Sequence, residues 1–417
     1  MGSAQSSVLS SPSSAFGPGG PADAVERVAL VGLFGFAAAL QLSIAAADIL
    51  LTVMLLAWAG WLVRRKARPE VPPMFWPLGA YAVLTLVASA FSENPLASLI
   101  DSRQLLLFLI VPAVYQIASG ERALRVVDVV VTVGAASAII GIVQYGILNF
   151  DDLGRRPQGS LGHYMTYSGL LMLVITAAAS RLLFPPRGPS EGRHGNGRIW
   201  PALVLPALVV ALALTLTRSA WVGACAGLAV LFVLRDFRLL AALPVIMALF
   251  VALAPATVTD RVYSIFDLND PSNRDRLAMM RSGARMIQDD PLTGVGPNMV
   301  EAAYPRYRDA SAVNEINPHL HNVPLQIAAE RGLLALAAWL WFLAVLARDL
   351  WRLSRRSAYP SLVCGALAAV VSMLAAGFFE YNFGDSEFLM LLLVLVTLPF
   401  AAERQREPAR AATSAAA

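Results

Sequence analysis

The chain has 417 residues, 57% of them hydrophobic and 14% charged, with a formal net charge of +4 at pH 7. Roughly a quarter of the residues of a soluble domain are charged, so this composition excludes an ordinary globular protein and points to a membrane as solvent. The 32 basic residues include one lysine, Lys66, and the arginines are divided among short loops; with no single basic stripe, a nucleic-acid partner is excluded.

Met1–Gly20 is rich in Ser, Gly, Pro and Ala and carries no charge, so it lacks the basic start of a signal peptide. Residues 1–27 are expected to form a disordered cytoplasmic tail. From there, stretches near the roughly 20 apolar residues of a membrane helix recur. They fall at 28–46, 48–63, 74–92, 103–118, 124–148, 162–184, 199–217, 219–234, 238–257, 331–348, 359–380 and 386–402. The expected architecture is therefore an all-α polytopic membrane protein of about twelve spans. Spans one to nine fill 28–257, a large helical loop fills 258–330, spans ten to twelve fill 331–402, and 403–417 is a cytoplasmic tail.

Charge sets the expected orientation. With a cytoplasmic N-terminus, Arg64–Arg68, Arg122 and Arg125, Arg187–Arg198, Arg235 and Arg238, Arg348–Arg356 and Arg404–Arg410 all fall on the cytoplasmic side. The short opposite connections hold one arginine, Arg103. Basic flanks at Arg198 and Arg235 require an even number of crossings between them, which puts Arg218 at the outward tip of a helical hairpin. An arginine there faces a polar cavity more often than lipid. Arg155 and Arg156 precede the Pro157-Gln158-Gly159 turn in a second charged outward segment.

In the large outward loop, Ser272 is expected to cap a helix running to about Gln288. Arg274, Arg281 and Arg285 share one face of it, and Arg276 points elsewhere, beside Met280 and Ile287. Asp290-Pro291 ends this helix, Gly294-Val295-Gly296 turns, and a short helix runs from Asn298 to about Tyr307. After the Asn317-Pro318 breaker, Asn322 caps a helix with Pro324 in its first turn, continuing into span ten. His321 then stands at the positive end of a helix dipole, a place that favours anions and a neutral imidazole able to act as a base. His163 and His319 are read as structural. No run of His, Asp, Glu or Cys has metal-ligand spacing, so neither metal nor cofactor is expected.

His321-Asn322, nine residues, then Gly332-Leu333-Leu334-Ala335 resembles the H-[NSQ]-x9-G-x-x-A signature of the O-antigen ligase and polymerase superfamily. Leu216-Thr217-Arg218-Ser219 is similar to that family's outward-arginine turn. Arg276-Leu277-Ala278-Met279-Met280, leading to Asp290-Pro291-Leu292-Thr293-Gly294-Val295-Gly296, is similar to its loop motif, and Arg156–Thr166 to a segment ahead of span six. Relatives commonly carry an aromatic residue at the place of Met280, so the loop register offers either Arg276 or Arg274.

The resemblance implies a GT-C-like, metal-independent, inverting glycosyltransferase of the bacterial inner membrane with its site facing the periplasm. Its donor would be an undecaprenyl-diphosphate-linked glycan and its acceptor a lipid A–core sugar, with membrane lipid around both. Arg218, Arg276, Arg156 or Arg274 would bind the diphosphate and His321 would be the catalytic base. An O-antigen polymerase or a protein O-oligosaccharyltransferase shares this chemistry, and a lipid-linked-glycan transporter is the alternative from another class.

Overall fold

The computed structural model describes residues 24–185, 198–267 and 269–404. Of the expected terminal tails, 1–27 and 403–417, residues 1–23 and 405–417, with Arg406 and Arg410, lie outside the described residues, as do Arg187 and Arg193, while Glu403 closes the last helix. Among the described residues every regular element is helical.

The first helices in chain order are α1 (Ala24–Ala39), α2 (Ile44–Arg65), α3 (Phe75–Ala90), α4 (Pro95–Asp101) and α5 (Ile110–Ile117), with a 3-10 helix, Ser102–Leu109, between the last two. They are followed by α6 (Glu121–Gly146), α7 (Tyr164–Leu183), α8 (Ile199–Leu214), α9 (Arg218–Arg235) and α10 (Ala242–Leu253). Three helices occupy the long loop: α11 (Ala256–Tyr263), α12 (Pro271–Asp289) and α13 (Val300–Tyr307). The chain closes with α14 (Val323–Ser354), α15 (Pro360–Gly377) and α16 (Ser386–Glu403).

Each of the twelve expected apolar stretches contains a helix. Among the described residues, eight segments are long and apolar enough to cross a membrane: α2, the 95–117 segment, α6, α7, α9, α14, α15 and α16. The remaining four stretches hold shorter helices: α1, α3 and α8, each 16 residues, and the 237–253 segment. The protein is an all-α polytopic membrane protein.

Ion pairs tie helices together at one end of the bundle. Arg404 Nε lies 2.7 Å from Glu70, Arg122 3.6 Å from Glu26, and Arg181 Nε donates to Asp128 at 2.9 Å. Glu26 belongs to α1, which begins at Ala24, so residues 24–27 are helical. The 256–322 segment lies at the other end, with a small apolar core of its own around Met279, Met286, Met299, Tyr304 and Leu320.

Two packing details position the site. On α9, a Cβ at Gly223 would lie 2.8 Å from the Ser372 carbonyl oxygen, and one at Gly227 3.1 Å from that of Ala368. Small residues one turn apart let α9 and α15 approach backbone to backbone, which brings the start of α9 beside the end of α15. The second detail is a break in α14. Gly332 takes φ 78° and ψ 172°, and a Cβ there would lie 2.0 Å from the Leu292 oxygen. The freed carbonyls of Ala329 and Glu330 accept from Val295 and Gly296 N–H at 2.9 Å, and Leu333 N–H donates to Pro291 at 2.8 Å. The sequence predicts a continuous helix here. The break exists because the 291–296 turn supplies the hydrogen bonds that the helix gives up.

Candidate functional site

Asn322 caps α14 as expected: its Oδ1 accepts from Leu325 N–H at 3.0 Å, and its Nδ2 donates to the Phe378 carbonyl at 3.1 Å, tying this end to α15. The preceding residue, His321, has φ 47°, in the left-handed region. Such a conformation costs a non-glycine residue on the order of 1 kcal/mol and is held only by firm surroundings. Here the firm surroundings are Glu380. Its Oε2 and Oε1 stand 3.0 and 3.1 Å from His321 Nδ1, its Oε1 is 3.0 Å from His319 Nε2, and it also accepts from Tyr381 N–H at 3.0 Å. The two imidazoles lie 4.1 Å apart, centroid to centroid.

Burial alone would raise the Glu380 carboxyl, but His321 and His319 beside it hold it well below the usual carboxylate range. An ionised carboxylate can only accept, so the proton of a neutral His321 sits on Nδ1 and its Nε2 is free to take another. The same three side chains have ligand atoms within 4.8 Å of one another and so could also hold a metal ion, a grouping that folding assembles from residues 319, 321 and 380.

A cavity of about 310 Å³ opens on one side of His321 and Glu380, and Arg156, Arg218, Arg261 and Arg276 line it. Arg218 is the first residue of α9, after a tight turn in which Leu216 has φ 55°. It is 6% exposed, so it faces the protein and does not snorkel at a hairpin tip. Its guanidinium is engaged: NH1 donates to the Ser264 carbonyl at 2.8 Å and hydroxyl at 3.0 Å. NH2 donates to Asn273 Oδ1 at 3.1 Å, Asp270 at 3.3 Å and the Ser272 hydroxyl. Asp270, with Pro271 in the first turn, is also the cap of α12, accepting from Ser272 N–H at 3.1 Å. The expected cap, Ser272, lies two residues too late, because a proline at the first helical position puts the cap just before it.

Arg276 reaches the cavity half-buried, with no hydrogen-bond partner among the described residues. Arg274, on the same helix, is exposed and lies off the cavity wall. Arg156 packs its guanidinium 4.3 Å above the Tyr164 ring. Arg281 and Arg285 both pair with Asp309, at 3.4 and 3.0 Å, away from the cavity.

The arginines repel one another. Burial and then the guanidiniums of Arg218 and Arg156 push Arg261 down to about 10. Burial, reinforced by Arg218, also lowers Arg156 and Arg276. The lowering records a positive potential that a bound anion would relieve.

On the other side of His321 and Glu380 lies a second cavity, of about 460 Å³. Its wall includes Asp101, Glu330 and Asp385, with Arg331 as its sole arginine. Arg331 is buried between Glu330, Asp101 at 3.7 Å and the Tyr381 hydroxyl at 3.2 Å.

Residues 202–340 match the family model described as O-antigen ligase. Over these residues the chain carries a domain of the O-antigen ligase family. No curated protein matches the chain. The ligase-family domain runs from α8 into α14 and contains Arg218, Arg261, Arg276 and His321, while Arg156 and Glu380 come from outside it.

Of the residues singled out from the sequence, the structure brings His321, Arg218, Arg276 and Arg156 to one cavity and leaves Arg274 outside it. Sequence reasoning missed Glu380, Arg261 and the role of His319. Glu380 had one signal to offer, an acid in a short outward connection that carries no basic residue.

Proposed function

We propose that the protein transfers a glycan from undecaprenyl diphosphate to a lipid A–core sugar at the periplasmic face of the inner membrane, as an O-antigen ligase. The observation that carries this reading is the placing of a carboxylate-bound imidazole on the wall of a cavity lined by four arginines. A diphosphate leaving group bears several negative charges, and guanidinium groups hold phosphate oxygens bidentately. With no large rearrangement to make during the reaction, such a cluster stabilises charge as it develops on the departing group.

The acceptor hydroxyl oxygen forms its bond to the anomeric carbon. The bond from that carbon to the diphosphate oxygen breaks, and undecaprenyl diphosphate leaves with the electron pair. His321 Nε2 takes the hydroxyl proton, and Glu380 holds the ring and stabilises the imidazolium that forms. Attack from the side opposite the arginines inverts the anomeric centre. Polymerisation of the same glycan on its carrier would need the same groups, and the product separates the two: lipopolysaccharide of higher mass for a ligase, a longer lipid-linked glycan for a polymerase.

The test uses purified full-length protein with lipid-linked donor and lipid A–core acceptor. His321→Ala is expected to lower the transfer rate by about 10²–10⁴-fold, the usual worth of a general base, and to leave donor binding intact. Transfer at the wild-type rate by His321→Ala would remove the base from the scheme.

A further inference from the structure

We propose that the 460 Å³ cavity behind His321 is the acceptor-sugar site and that the acceptor lipid reaches it through a groove between α2, the 102–109 segment and α16. The proposal rests on the transferase reading and assigns the second substrate of that reaction.

Charge decides which cavity takes which substrate. The arginine-lined cavity has four cations against Asp275 and Glu380, whereas the second has Asp101, Glu330, Glu380 and Asp385 against Arg331. A diphosphate would be repelled from the second and held in the first. The acceptor's reacting group is a neutral hydroxyl on a neutral ring. Carboxylates, amides and an arginine on one wall offer both acceptors and donors, which suits groups that do both. The volume lies in the range of small-ligand sites, and His321 lines both cavities, so a hydroxyl held in the second reaches the imidazole that faces the first. Two residues of this wall, Arg331 and Asn382, are 5% and 7% exposed and carry buried polar atoms, Nε and Oδ1, without a partner among the described residues. One is a donor and the other an acceptor.

The route follows from continuity. Asp101, Gln104, Asn298 and Gly384 line both this cavity and an open groove of about 940 Å³. Leu51, Leu55, Ile100 and Leu106 give the groove an apolar side at the membrane bundle, while Asp48, Arg103 and Glu387 give it a polar one. An amphiphile with acyl chains and a sugar headgroup matches that division.

Asn298 stands where groove and cavity join. Its backbone N–H donates to Glu330 Oε1 at 2.9 Å, its side-chain amide has no partner among the described residues, and its φ is 59°. Glycine adopts that φ without strain, so Asn298→Gly deletes the amide and leaves the backbone in place. Thr52, exposed on α2, lines the groove but not the cavity, and Thr52→Trp narrows the passage.

Both variants are made in the full chain in lipid nanodiscs. Asn298→Gly is expected to raise the KM for lipid A–core acceptor about tenfold, the loss of one hydrogen bond to a hydroxyl, with the donor KM unchanged. Thr52→Trp is expected to lower kcat/KM for the acceptor by at least about tenfold, again with the donor KM unchanged. A rise in donor KM, or no change in either variant, would overturn the assignment. Direct binding of lipid A–core to nanodisc-held wild type, without donor, separates the two readings. Binding that Thr52→Trp weakens upholds the site even where wild type performs no transfer, in which case the transferase reading alone fails. No binding to wild type would overturn the site.

Discussion

Arg218 and Arg276 line the same cavity, yet they belong to regions in different states of engagement. The start of α9 gives Arg218 a saturated fork, with Ser264, Asp270, Ser272 and Asn273 as acceptors. The second turn of α12 gives Arg276 a half-buried position with no hydrogen-bond partner among the described residues. Leaving a partly buried guanidinium unpaired is costly. A fold retains such a group where a ligand is to supply the missing acceptors. Arg218 thus joins the membrane bundle to the 256–322 segment and adds positive potential, whereas Arg276, on the proposed function, takes its acceptors from the anion.

Of the substitutions at these two arginines, Arg276→Ala has the largest expected effect. With no hydrogen bond of its own to lose among the described residues, and with the attraction of Glu380 set against burial and the repulsion of Arg218, the variant is expected to keep a Tm close to that of wild type. Transfer is expected to fall by about 10²–10³-fold, as when one preorganised charge-stabilising donor is removed. Transfer rate and Tm are measured on the same preparation. A clear drop in Tm would show that Arg276 has a structural partner, and unchanged transfer would take it out of the diphosphate site.

Arg218→Lys has a smaller expected effect on rate and an added effect on structure. A point charge on a flexible stem cannot hold acceptors on two sides as a planar fork does. Transfer is expected to fall by about 10–10²-fold, the weight of one charged hydrogen-bonding group, and limited proteolysis between 264 and 272 to become faster than in wild type. Arg276→Ala leaves that cleavage rate unchanged. Equal cleavage in Arg218→Lys and wild type would mean that the fork does not hold the loop.

The bundle was legible in the sequence because apolar runs and basic flanks are local signals, and α14 began where Asn322 and Pro324 said it should. His321 and Arg218 were legible for the same reason, each sitting at a helix start marked by its neighbours. What could not be seen depended on partners distant in the chain. Glu380 meets His321 across 59 residues, and neither side of that pair carries a local mark of the other. Gly332 inside an apolar helix looks like a tolerated glycine until the 291–296 turn takes up the freed backbone groups. The choice between Arg276 and Arg274 depended on which face of α12 turns toward α9, and the acceptors around Arg218 fix that.

The Arg218 region can act on transfer through its charge or through the order it imposes on the loop. Asn273→Ala addresses this without touching any arginine. It removes one acceptor of Arg218, at 3.1 Å, and two bonds from Asn273 Nδ2, to the Ser264 carbonyl at 3.0 Å and the Asp267 carbonyl at 2.8 Å. Arg218 keeps Ser264, Asp270 and Ser272, so its guanidinium stays at the cavity wall. Each bond contributes about 1 kcal/mol at most at a partly exposed site, enough to raise amide hydrogen exchange across 264–273 several-fold. Transfer is expected to stay within about threefold of wild type, because the cation remains and only the loop's local stability is reduced. Were transfer to fall as far as in Arg218→Lys, loop order would be the operative quantity. The contrast between a clamped arginine and an open one would then reduce to Arg276 alone binding the anion.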